Sequence, residues 1–102
     1  MNSLEYVDFI RNIGYCCVCY HKGFVDPHHL ISIGMGGNRK KPNVKHYSCI
    51  PLCRHHHTEY HNKGKLAFEK YHNVNLFELA FHFLSNYIFQ RYEQPIEEND
   101  EN

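Results

Sequence analysis

The sequence predicts a small α+β domain that is stabilised by a bound metal ion. Short apolar stretches around Pro27 and Pro51 are typical of strands, and helical periodicity dominates residues 75–92. Two chelating pairs, Cys16-x-x-Cys19 and Cys53-x-x-His56, offer four sulfur and nitrogen donors. A chain of 102 residues is one domain and buries a small core, which metals commonly supplement.

The N-terminal half is predicted to hold one helix and two strands. Residues 3–13 suit a helix that Ser3 caps and Gly14 ends. Extended chain follows around Pro27, with residues 30–33 (LISI) as the first strand. A glycine-rich basic loop, GMGGNRKKPN, then leads to a second strand over HYSCIPL.

Three helices are predicted in the C-terminal half. Pro51 permits a helix to begin near Cys53 and to run to about Asn62, and another covers residues 65–72. The longest, residues 75–92, begins behind Asn73 or Asn75 and carries an apolar stripe for the core. Its extra aromatics, Phe77, Phe81 and Phe89, can alternatively cover a homodimer contact. The folded domain is predicted over 1–96, with an acidic disordered tail at 97–102.

Cysteine content and hydropathy argue against a secreted or membrane-spanning protein, and the charge distribution is compatible with a polyanion partner. Five cysteines cannot all pair internally, and the first ten residues lack the basic start of a secretory signal. A membrane span is also not expected, since no run of about 18 apolar residues occurs. We therefore expect a cytoplasmic protein. Residues 39–65 hold seven Lys or Arg against Glu59 alone, which fits either a polyanion partner or a solvated loop.

The two chelating pairs predict a closed structural zinc site. Their separation exceeds that of a classical zinc finger and suits a knuckle and a helix start that clamp the segment between them. His55, His56 and His57 all lie within reach of Cys53. We assign His56 to the zinc because this leaves His57 and His61, one helical turn apart, as a second pair.

The remaining histidines form a second pattern. His28 and His29 are neighbours in extended chain, so their side chains point to opposite faces. With the later H-x-x-x-H pair, this order resembles the HNH, or His-Me finger, endonucleases, and most of all their phage and prophage recombination-enhancement subgroup. The resemblance covers residues 15–70 and rests on three stretches, CCVC, DPHHLISIGMGG and CIPLCRHHHTEYH.

The resemblance implies a ββα-metal, treble-clef-like fold with flanking helices, and hydrolysis of DNA with little base preference. His29 would be the general base, near its ordinary pKa of about 6.5. His28, His57 and His61 would hold a catalytic divalent ion, Mg²⁺ or Mn²⁺ in similar enzymes. The partners implied are DNA and a recombination protein, in a bacterial or phage-infected cell.

Two features depart from the family pattern. The middle Asn, which orients the base, is absent, and Ser48 or His46 stands near its place. Asp26 can add an oxygen ligand that suits Mg²⁺, whereas a purely imidazole site favours Zn²⁺, Ni²⁺, Co²⁺ or Mn²⁺. Arg54 is a candidate contact to the product phosphate. Other candidate phosphate contacts are Arg39, Lys40, Lys41 and Lys45. The histidines outside the two patterns, His21, His72 and His82, are interpreted as structural.

Two other functions fit the same sequence. A zinc-stabilised nucleic-acid-binding module of the same fold would bind DNA without cutting it, and the missing Asn favours this alternative. A protein-interaction adaptor would use the aromatic C-terminal helix. The binding module needs none of the four histidines His28, His29, His57 and His61, so their joint presence favours the nuclease.

Overall fold

A computed structural model describes residues 2–34 and 36–93 of the chain. The order of elements is α1 (Ser3–Arg11), β1 (Asp26–His29), two 3-10 helices (Gly36–Lys40 and Val44–Ser48), β2 (Cys49–Leu52), α2 (Arg54–Lys63), α3 (Lys65–His72) and α4 (Leu76–Tyr92). The predicted α+β class is confirmed. The acidic tail predicted at 97–102 lies outside the described residues. None of the described helices has the length and apolar character needed to cross a bilayer.

The sheet is one antiparallel pair, in which His28 lies opposite Ile50 and His29 opposite Cys49. The prediction of a strand over residues 30–33 is wrong, because β1 covers Asp26–His29 and ends before them. Beyond that point the partner chain turns into the 3-10 helix Val44–Ser48, and Ile31 N–H donates to the Ser48 hydroxyl at 3.0 Å. The pairing therefore brings the two histidines to the end of the strand.

The helices begin close to their predicted starts, but α1 ends at Arg11, before the predicted end at residue 13, and its cap differs from the prediction. Asn2, and not Ser3, caps α1, since its side chain accepts from Leu4 N–H at 2.8 Å. The hydroxyl of Ser3 instead accepts from Asn43 N–H at 3.0 Å and ties α1 to the long loop. The three C-terminal helices occur where periodicity placed them, and Asn75 caps α4.

The core lies between α1, the sheet and α4. Tyr6, Phe9 and Tyr87 form its aromatic centre, with ring centroids 4.9 to 5.9 Å apart. The core prediction for the α4 stripe holds for Leu76, Ala80, Phe83 and Tyr87, which are buried. All four residues of β2 are buried, whereas no residue of α2 is. Apolar burial thus fixes the strand that precedes α2 but does little to hold α2 itself.

Candidate metal centres

The Cys16–Cys19 turn is a preorganised knuckle docked on the sheet. Cys16 N–H donates to His21 O at 3.2 Å, and Tyr20 N–H returns to Cys16 O at 2.8 Å. Cys17 N–H donates to Pro51 O in β2 at 2.9 Å. The knuckle therefore lies beside the start of α2, where Cys53 is the N-cap residue.

The four predicted zinc ligands come together. One donor atom from each of Cys16, Cys19, Cys53 and His56 lies within 4.8 Å of the others. His56 Nδ1 is 3.2 Å from Cys53 Sγ and 3.8 Å from Cys16 Sγ. Zn–S and Zn–N bonds at a tetrahedral angle place sulfur and nitrogen about 3.5 Å apart. The cluster has the donors and the dimensions to hold a metal ion such as zinc.

The pKa values of the cysteine thiols are shifted in different directions: that of Cys19 is raised by burial and by the neighbouring Cys16 and Cys53. Burial alone would raise the pKa of Cys16, but backbone N–H groups of Cys19, Cys53 and Val18 outweigh it and lower that pKa, which favours the thiolate. Burial raises the pKa of Cys17 and of Cys49 to about 12. Cys17 and Cys49 are therefore neutral thiols packed in the core.

Two residues that the sequence analysis did not assign to the zinc site, Glu59 and His72, lie beside His56. Glu59 Oε1 accepts from His72 Nε2 at 2.9 Å and lies 3.9 Å from His56 Nε2. The rings of His56 and His72 are 5.1 Å apart. Glu59, one turn after His56, could have been found from its spacing, but His72 comes from α3 and its approach depends on the turn at Gly64, where φ is +83°.

His28, His57 and His61 form the second predicted cluster. A ring nitrogen from each lies within 4.8 Å of the others, and the ring centroids are 4.8 to 5.3 Å apart. Tyr60 packs its ring 4.1 Å from that of His28. His28 is 5% exposed, and its Nε2 is buried without a hydrogen-bond partner among the described residues. A buried, unpaired nitrogen is costly, and a metal ion would satisfy it.

Asp26 supports this cluster from outside. Its Oδ2 accepts from His57 Nδ1 at 3.0 Å and from Arg54 Nε at 2.9 Å, while Oδ1 accepts from Arg54 Nη2 at 3.3 Å. Burial would raise the pKa of Asp26, but the bonds from Arg54 and His57 outweigh it and lower that pKa. Arg54 is thus paired with Asp26, so the predicted contact to a product phosphate would have to compete with this ion pair.

His29 faces a different partner, His46. His29 Nε2 lies 3.0 Å from His46 Nδ1, and His46 Nε2 lies 2.8 Å from the carbonyl oxygen of Lys41. Of the two candidates for the place of the middle Asn, His46 is therefore the one that contacts His29, the predicted base. The Ser48 hydroxyl donates to Lys45 O at 2.7 Å and accepts from Ile31 N–H, so it holds the loop.

Burial favours the neutral form of both strand histidines. It lowers the pKa of His28 to about 3, with His57 and His61 adding to the shift. It lowers the pKa of His29 to about 4, together with Arg39 and His46. Sequence reasoning placed His29 near 6.5 because it could not see this burial. Both imidazoles are neutral at pH 7 and have a free lone pair.

The two histidine groups open onto one cavity of about 280 Å³. His28, His29, His57, His61, Tyr60 and Arg39 are among the residues that line it. The other predicted phosphate contacts, Lys40, Lys41 and Lys45, have exposed side chains on the same long loop. The predicted base His29, the three-histidine cluster and the guanidinium-bearing residue Arg39 therefore line the same cavity.

Comparisons with known proteins place the chain in a family. A stretch of 68 residues is 41% identical to the uncharacterized protein YdfU of Escherichia coli strain K12. That stretch is 67% of this chain but 18% of YdfU, so the chain spans less than a fifth of that relative. No solved structure matches the chain. Residues 1–90 match the model described as "Protein of unknown function (DUF968)", and the chain therefore belongs to the DUF968 family.

Proposed function

We propose that this chain is a metal-dependent endonuclease of the HNH, or His-Me finger, type that hydrolyses DNA phosphodiester bonds. One observation carries the proposal. His29, with an unpaired ring nitrogen, and the cluster of His28, His57 and His61 line the same cavity. β1, β2 and α2 follow one another along the chain in the order expected of a ββα-metal motif, and residues of β1 and α2 line the cavity.

The hydrogen bonds of His46 indicate which nitrogen of His29 would accept a proton. The Lys41 carbonyl only accepts, so neutral His46 carries its proton on Nε2 and has a lone pair on Nδ1. That lone pair accepts from His29 Nε2–H. The lone pair of neutral His29 is then on Nδ1, which is buried without a partner among the described residues. His29 Nδ1 is the atom that takes a proton from water.

The remaining residues bind and orient the phosphodiester. His28, His57 and His61 would hold a divalent ion, which when bound supplies positive charge to the transition state and the leaving oxygen. Arg39 at the cavity is placed to pair with a phosphate oxygen. Water oxygen forms the new bond to phosphorus, its proton goes to His29 Nδ1, and the bond to the 3′ oxygen breaks.

Plasmid nicking tests the proposal. With added divalent metal, the full chain should relax supercoiled DNA, and His29→Ala should lower the rate by about 10²- to 10⁴-fold, the usual contribution of a general base. His82→Ala is the matched control because His82 is exposed on α4. Nicking by folded His29→Ala at the control rate would contradict the assignment.

A binding module without cleavage is the second candidate. The observation that favours it is His46 in place of the family's Asn. It predicts a salt-sensitive gel shift by wild type and by His29→Ala, with no nicking at any metal concentration. Nicking assays and gel shifts with wild type and His29→Ala therefore distinguish the nuclease from the binding module.

A further inference from the structure

We infer that the cluster of His28, His57 and His61 is a three-imidazole centre that selects Zn²⁺, Co²⁺ or Ni²⁺ over Mg²⁺, with Asp26 as a positioning residue and not a ligand. The inference deepens the proposed function by naming the class of ion. It relies on that function for the ion's role, but not for the ion's binding.

The donor set is the first argument. The cluster brings together one nitrogen from each of three histidines, and no carboxylate of the described residues belongs to it. Mg²⁺ prefers six oxygen ligands and gives up water reluctantly. Imidazole is a borderline donor that suits Zn²⁺, Co²⁺ and Ni²⁺, and three such ligands leave a fourth position for water or a phosphate oxygen.

The bonds of Asp26 are the second argument, because this is the carboxylate that would make the site suitable for Mg²⁺. Asp26 Oδ2 bonds the Nδ1 side of His57, so His57 presents Nε2 to the cluster. A carboxylate on the Nδ1 side of the ring lies away from an ion on Nε2. Arg54 occupies both oxygens of Asp26 and holds the carboxylate there. This carboxylate fixes the tautomer and orientation of His57.

The unsatisfied ring nitrogen of His28 is the third argument. Its Nε2 is buried and has no hydrogen-bond partner among the described residues, and its ring is held in place by Tyr60, 4.1 Å away between centroids. Together with His57 fixed by Asp26, two of the three ligands are preorganised before an ion arrives. Preorganised nitrogen donors increase affinity for ions that bind nitrogen well.

Co²⁺ titration followed by visible absorption tests the inference without DNA. In the full chain, with zinc retained in the cysteine site, Co²⁺ should give ligand-field bands without sulfur charge transfer. A large excess of Mg²⁺ should leave these bands in place, and Zn²⁺ should abolish them. His61→Ala should lose them, whereas His82→Ala should keep them. Loss of the bands in excess Mg²⁺ would overturn the inference.

Asp26→Asn separates positioning from ligation. We expect the same band positions with Co²⁺ affinity reduced roughly 10- to 100-fold, as for other partners of metal-bound histidines. Shifted bands would show that Asp26 is a ligand, and unchanged affinity would show that it has no role; either result contradicts the inference. Circular dichroism verifies that the variant folds, and the Mg²⁺ competition on wild type needs no variant.

The outcome is independent of the proposed function. Intact Co²⁺ bands without any plasmid nicking would contradict the nuclease proposal alone. Nicking that Mg²⁺ supports, together with displacement of Co²⁺ by Mg²⁺, would contradict only the choice of ion.

Discussion

At the scale of single residues, His46 provides the contact to His29 that the proposed HNH mechanism assigns to an Asn. In both His and Asn, the δ-position heteroatom is bonded to Cγ, so Nδ1 of His46 stands where Oδ1 of Asn would stand. His46 is 1% exposed, and the Lys41 carbonyl sets its tautomer. Sequence reasoning listed His46 beside Ser48 but could not choose, because the choice depends on the 3-10 turn of Val44–Ser48.

This geometry makes a prediction about substitutions at position 46. His46→Ala should reduce the nicking rate by about 10²-fold, the lower end of what a correctly oriented base contributes, because His29 loses its acceptor. His46→Asn should recover most of that loss, since an acceptor returns at the same place. The measurement is single-turnover nicking over a range of protein concentrations, which separates the rate constant of cleavage from DNA binding.

A purely structural role for His46 would give a different result. Both variants would then lose activity in proportion to their loss of stability, and Asn would not differ from Ala. Co²⁺ binding at the three-histidine cluster serves as the control, because His46 does not belong to that cluster and neither substitution should change it.

At the scale of elements, α4 separates its apolar residues into a buried stripe and an exposed set. Phe83 is 4% exposed, whereas Phe81, two residues earlier, is 71% exposed. Spacing alone predicted this division and the bounds of α2, α3 and α4, because caps and periodicity are local signals. The predicted strand at residues 30–33 failed because a tertiary contact with Ser48 overrides local strand propensity there.

The two phenylalanines provide a matched pair of substitutions. Phe83→Ala should destabilise the domain by about 3 to 5 kcal/mol through a core cavity. Phe81→Ala should change the free energy of unfolding by less than about 0.5 kcal/mol, as exposed sites usually do. Urea unfolding of the zinc-loaded chain measures both. Equal effects would mean that α4 packs through another face.

At the scale of the whole molecule, the two candidate metal-binding clusters connect α2 to other parts of the domain. No residue of α2 is buried, yet α2 supplies ligands to both clusters. The two chelating pairs could be recognised in the sequence because the members of each pair are close together in the chain. That both pairs bind one ion was predicted because a closed zinc site requires four ligands. The contacts of His29 with His46 and of Asp26 with His57 were not predictable in this way, since they depend on how the loop folds.

Removal of zinc should therefore unfold the domain. Binding of structural zinc contributes about 10 to 16 kcal/mol in finger peptides, which is comparable with the whole stability of a small domain, about 5 to 15 kcal/mol. Strong chelation should abolish the thermal transition, and added Zn²⁺ should restore it. An unchanged melting temperature, with metal analysis showing that zinc has been lost, would refute this expectation.

Cysteine variants give the matching control. Cys16→Ser removes a candidate ligand and should lose both the zinc of the cysteine site and the folded state, whereas Cys17→Ser changes a buried thiol beside it and should retain both. Zinc content and circular dichroism distinguish the two. A fully folded Cys16→Ser would show that this cluster does not determine the fold.

The adjacency of His56 and His57 restricts how this segment can evolve. One residue advances a helix by about 100°. An insertion or deletion between Cys53 and His61 would thus rotate at least one of the four side chains Cys53, His56, His57 and His61 away from its cluster. Relatives that retain both centres should keep the length of this segment constant, even where the glycine-rich loop before it has gained or lost residues.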